Sequence, residues 1–127
     1  MASFLRISLI AALTSIAAAA HAGEADVVGV EFERAGGTYT FRVTVEHADT
    51  GWEHYADKWE VVAPDGTVLG TRVLAHPHVD EQPFTRSKSG IAIPAGVTSI
   101  TVRAHDKVDG YGGREVTVDL GDAAGEG

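Results

Sequence analysis

Between Tyr39 and Glu46 every second residue is apolar: Tyr39, Phe41, Val43 and Val45 alternate with Thr40, Arg42, Thr44 and Glu46. A period of two belongs to a strand with one buried face and one wet face, and it excludes an amphipathic helix here. The pattern recurs between turn residues. Val28, Val30 and Phe32 alternate with Gly29, Glu31 and Glu33 ahead of Ala35-Gly36-Gly37. Trp59, Val61 and Ala63 run into Pro64-Asp65-Gly66, a strong hairpin turn leading into Thr67 to Leu74. A weaker strand is expected from about Phe84 to Ile93, ended by Pro94-Ala95-Gly96, after which Ile100, Val102 and Ala104 alternate again. Val116, Val118 and Leu120 close the series.

About seven short strands with no helical period among them predict an all-β fold, a two-sheet antiparallel sandwich of immunoglobulin or fibronectin type. Trp59, on the third strand, stands where such domains often bury a tryptophan against the opposite sheet. No motif names a family, and sandwiches of this kind host unrelated functions. There is no cysteine, so the core alone must hold the domain together.

The sandwich is expected over residues 23–120, after a signal peptide at 1–22 and before a disordered acidic tail at 121–127. Arg6, an apolar run from Ile7 to Ala20 and a small-x-small site at Ala20-His21-Ala22 make a Sec-type leader rather than a membrane span. Cleavage before Gly23 would deliver the domain to the periplasm or the medium. Cleavage after Ala20 would instead leave His21 first. That His-Ala start resembles the first residues of periplasmic copper carriers, which are also β-sandwiches, and implies an amine and an imidazole offered to copper; the resemblance covers two residues.

The formal net charge is −8, and removal of the leader takes away Arg6 and no acid. An acidic chain is a poor partner for nucleic acid or anionic lipid and attracts cations. No later segment is long and apolar enough to span a bilayer. With thiolates absent, a metal would be held by His, carboxylate, Tyr or backbone oxygen.

The connections are unequal. Gly-Gly, Pro-Asp-Gly and Pro-Ala-Gly make three short turns, while His47 to Ala56, Ala75 to Pro83 and Asp106 to Gly113 are longer. If every connection reverses direction, the long ones gather at one end of the sandwich, where binding usually resides. His47, His54, His76, His78 and His105 all fall at that end, among Asp49, Asp57, Asp80, Glu81, Asp106 and Asp109. Imidazole and carboxylate are ligand types for zinc and copper. His47 continues the inward phase of its strand, and Asp106 is in phase where His105 is not. A site built from His47, one or both of His76 and His78, and Asp106 or His105 is therefore expected, with His54 as a further candidate. Against this stands the ordinary role of a histidine at a strand end, bonding loop carbonyls.

Two other functions fit the same loops. Trp52, Tyr55, Phe84, Arg86 and Tyr111 could dock a periplasmic protein or a carbohydrate without any chemistry. A metal-dependent enzyme is the other. Catalysis without a metal is not expected: Thr85, Ser87 and Ser89 lack a nucleophile elbow, and no helix follows Gly110-Tyr111-Gly112-Gly113 to bind phosphate.

Overall fold

Strand β2 (Thr38–Glu46), which carries the unbroken alternation, is the middle strand of one sheet, between β1 (Asp26–Ala35) and β5 (Phe84–Ile91). The second sheet has the order β4 (Val68–Val73), β3 (Ala56–Val62), β6 (Ser99–Asp106), β7 (Val116–Asp119). This computed structural model describes residues 23–121. The expected leader, and the expected tail beyond Gly121, lie outside the described residues. All strand pairs are antiparallel, and the described residues form the sandwich anticipated from the alternation.

In an immunoglobulin constant domain the fourth strand would join β1, β2 and β5. Here it pairs with β3, because the turn between them is tight. The Asp65 carboxylate accepts the Thr67 amide at 3.0 Å and Ala63 N–H bonds Thr67 O at 2.8 Å, so β4 folds straight back along β3.

Phe41, Val43 and Val45 of β2 meet Trp59, Val61, Ile100 and Val102 across the sandwich, and Trp59 is fully buried. Burying each large apolar side chain stabilises by about 1.5–3 kcal/mol. This apolar slab takes the place that disulfides hold in many exported domains.

Two irregularities change the phase read from sequence. A bulge between Val27 and Gly29 puts Val27, not Val28, into the core; Val28 is left exposed, while Val30 and Phe32 pair with Val43 and Phe41 on the core face, where Phe32 at the sheet edge is as exposed as Val28. In β5 an extra residue opposite Tyr39 and Phe41 turns Ile91 inward, and the strand ends there rather than at Ile93.

The pairings Asp26↔Glu46, Val45↔Phe84, Lys58↔Val73 and Ala56↔Asp106 put the N-terminal segment and all three long connections at one end. The short turns occupy the other.

Candidate metal centre

His47 follows β2 directly and keeps its inward phase, so its ring is fully enclosed. The connection then doubles back: His54 N–H bonds Gly51 O at 3.2 Å and Thr50 N–H bonds His54 O at 3.0 Å. This reversal brings the His54 ring edge-on to that of His47, with centroids 4.8 Å apart. Asp106 ends β6 on its inward phase and is completely buried. The fourth participant is main chain: the Gly23 carbonyl, delivered by the segment leading into β1.

His47 Nε2 and His54 Nε2 lie 3.3 Å apart, and the Gly23 oxygen lies 3.1 Å from the first and 3.2 Å from the second. A tetrahedron with metal–ligand bonds near 2.0–2.1 Å has edges of about 3.3–3.4 Å. The three atoms therefore outline one face of such a polyhedron. Asp106 Oδ1 at 3.1 Å and Asp109 Oδ2 at 3.3 Å from His54 Nε2 approach from the remaining side. His47, His54 and Asp106 can offer one ligand atom each, all within 4.8 Å of one another.

The cluster holds fewer hydrogens than its lone pairs call for. His47 Nδ1 meets Asp49 Oδ1 at 2.5 Å and donates to it, the tautomer that turns the Nε2 lone pair of an unprotonated ring towards the cluster. A proton on His54 Nε2 could serve only one of four surrounding acceptors: His47 Nε2, Gly23 O, Asp106 Oδ1 and Asp109 Oδ2. Asp106 Oδ1 already takes the amides of Val108 at 2.9 Å and Asp109 at 2.7 Å, whereas its buried Oδ2 has no hydrogen-bond partner. A cation would satisfy all of these lone pairs together.

Asp49 holds the arrangement in place. Its Oδ1 accepts His47 Nδ1–H and the Ala56 amide at 3.0 Å, and its Oδ2 accepts the His78 amide at 2.7 Å. One buried carboxylate thus fixes the His47 tautomer and ties two long connections to β3. The sequence placed Asp49 near the histidines without marking this role. Backbone oxygen was among the donors expected from sequence, but which carbonyl was not legible, because a main-chain donor leaves no residue-type signature.

The other candidates sit apart from the cluster. The His76 and His78 rings stand side by side, centroids 4.6 Å apart, as two positions separated by Pro77 should in extended chain. His76 is exposed, its Nδ1 3.0 Å from Pro77 O. His78 lies flat on Phe84, centroids 4.0 Å apart and planes 11° apart, with neither ring nitrogen bonded. Burial, aided by Arg86 and His76, lowers its pKa and keeps it neutral. His105 points to the outer face of its sheet, where Nδ1 donates to Asp57 at 2.6 Å and the ring meets Tyr111 edge-on. Arg103 stacks on Tyr111 at 4.2 Å and bonds Glu60 at 2.9 Å. Of the expected His47, His76/His78 and Asp106/His105 combination, the structure brings together His47 and Asp106 and adds His54.

Among the residues considered for partner docking, Trp52 is 61% exposed and packs edge-on against the largely buried Tyr55. Arg86 is held by Glu81 at 3.0 Å, and Tyr111 is half-exposed. Phe84 faces the core, being the first inward residue of β5 beneath His78, and offers nothing to a partner.

No family model matches the chain. A protein of Halomicrobium mukohataei described as a "Putative lipoprotein" is 46% identical over 97 residues, which are 76% of this chain and 47% of that protein. The chain thus spans about half the length of that relative. Among solved structures, a hypothetical protein from Pyrococcus horikoshii superposes with a TM-score of 0.52 at 17% identity, covering 78% of this chain and 91% of that one. It shares the β-sandwich fold. A superoxide reductase in its oxidised state gives a TM-score of 0.49 at 18% identity, covering 77% of this chain and 90% of that one.

Proposed function

We propose that this chain is an exported domain that binds a divalent transition metal, zinc or copper, through His47, His54 and Asp106, as a carrier or accessory factor. The observation that carries the reading is the triangle of two imidazole nitrogens and a carbonyl oxygen with edges of 3.1 to 3.3 Å beside a buried carboxylate oxygen that bonds nothing. Two imidazoles with oxygen donors suit Zn(II) and Cu(II), and the absence of thiolates disfavours Cu(I). Asp49 behind His47 is the carboxylate that commonly orients a ligating imidazole and raises its basicity. The acidic balance of the chain lowers the cost of holding a cation. The leader read at residues 1–22 supports export, as does a relative described as a lipoprotein.

The purified chain should retain one equivalent of Zn(II) or Cu(II) through desalting. His47→Ala combined with His54→Ala should abolish retention, and His76→Ala should leave it intact. Retention no better than that of an unrelated histidine-bearing protein refutes the reading.

A docking role has one observation of its own. Trp52, Val73, Val79 and Val108 are each more than half exposed, and all border the same end. Such a rim suits a protein that receives or delivers the ion.

A further inference from the structure

One donor of the cluster is main chain, the carbonyl of Gly23. Gly23 is not there by chance proximity. Ala25 and Val27 are buried, Val27 N–H bonds Arg114 O at 2.9 Å, and Asp26 Oδ1 accepts the Arg114 amide at 2.7 Å. These contacts clamp the segment between β2 and the last connection, so residue 23 is directed at the imidazoles. Its α-carbon packs directly on the Asp109 carboxylate, since a Cβ built there would lie 2.5 Å from Oδ2. Only glycine fits without displacing that side chain.

Gly23 is also the residue that follows Ala20-His21-Ala22. Resting on the metal reading, we propose that the site is completed by maturation: cutting the Ala22–Gly23 bond frees an α-amino group that joins the Gly23 carbonyl as a second donor to the same ion. Hydrolysis by a leader peptidase consumes one water, leaves a carboxylate on Ala22 and leaves an amine on Gly23. In the uncut chain the Gly23 nitrogen is an amide, whose lone pair is delocalised into the preceding carbonyl and makes a poor ligand. In the cut chain it is an amine with a free lone pair. Amine nitrogen and carbonyl oxygen of one residue close a five-membered chelate ring, so the second bond forms at high effective concentration. The precursor would hold metal weakly inside the cell and the processed domain strongly outside it.

The test compares three forms of the protein: the chain exported and processed by cells, the same material acetylated selectively on its α-amine, and the full chain with its leader retained. Mass spectrometry first identifies the N-terminal residue, and a start other than Gly23 overturns the proposal. Competition titrations with Zn(II) and Cu(II) should show the processed form binding at least about tenfold tighter than either blocked form. In Cu(II) spin resonance, a ¹⁵N-glycine label should alter the hyperfine pattern of the processed form only. Equal affinity of all three forms, with binding still lost in His47→Ala/His54→Ala, overturns the maturation step and leaves the histidine site standing. Binding by all forms no tighter than by that double variant overturns both.

Discussion

The two ends of this sandwich solve opposite problems with the same strands. At the turn end, loop polar groups are satisfied locally, Asp65 by the Thr67 amide and Val97 N–H by Pro94 O, and the residues that reach inward carry no charge. At the loop end the chain buries His47, Asp49, His78 and Asp106. Burying such groups costs stability unless each finds a partner, and several here do not. An Asp106 oxygen and both His78 nitrogens are unbonded. Both ends are closed by the same apolar slab, so the difference cannot come from a general shortage of core. The Tyr39 hydroxyl and the Trp59 indole N–H are also unbonded, but the buried carboxylate and imidazole atoms without partners gather at the loop end, as they do where stability has been given up for binding.

Three variants, studied in chelator to isolate the protein itself, would break or sharpen this contrast. The largest effect belongs to Asp49→Ala. It strips a partner from His47 Nδ1, from the Ala56 amide and from the His78 amide, and should cost about 3 kcal/mol or more in urea unfolding. A loss under about 1 kcal/mol would mean that the loop end is not organised around this carboxylate. Gly66→Ala acts at the other end, at a positive φ of 94°. It should cost about 1 kcal/mol through backbone strain and leave metal affinity unchanged. A change in affinity would show that the two ends are coupled.

The smallest effect is a pH slope. Burial first, then Arg86 and His76, lower the His78 pKa below its ordinary 6.5, so the unfolded chain takes up that proton before the folded one does. Its contribution to stability is complete above the unfolded value and is lost as pH falls through it towards the lower folded value. His78→Phe keeps the stack on Phe84 and removes the titration. The decline in stability between about pH 7 and pH 5 should become shallower. An unchanged slope would remove His78 from the acid response.

The strands with clean alternation, β2 and β6, were legible down to the direction of individual side chains. Phase alone pointed His47 and Asp106 inward and His105 outward, as the structure has them. Val28 misled because a bulge inserts a residue without altering composition. The pairing of β4 with β3 depended on turn geometry, which the Pro-Asp-Gly signal located but did not aim. Within the site, His54 was one candidate among several, since a seven-residue return from His47 has no fixed direction until backbone bonds at Gly51 and Thr50 close it. His-Pro-His looked like a ligand pair, and its rings do stand side by side. The Asp49 bond to the His78 amide and the Phe84 surface draw one of them into a different pocket.

The Asp49 carboxylate also limits how this domain can be altered. It joins the connection after β2 to the one before β5 through a single side chain that also grips the start of β3. Removing the carboxylate at 49, or shifting the backbone amide of residue 78, in one loop unfastens the other. A library that varies position 49, or the length of either loop around these bonds, would disturb both loops at once. Productive redesign of specificity would have to transplant 47–55 and 74–83 together, as one inheritable piece.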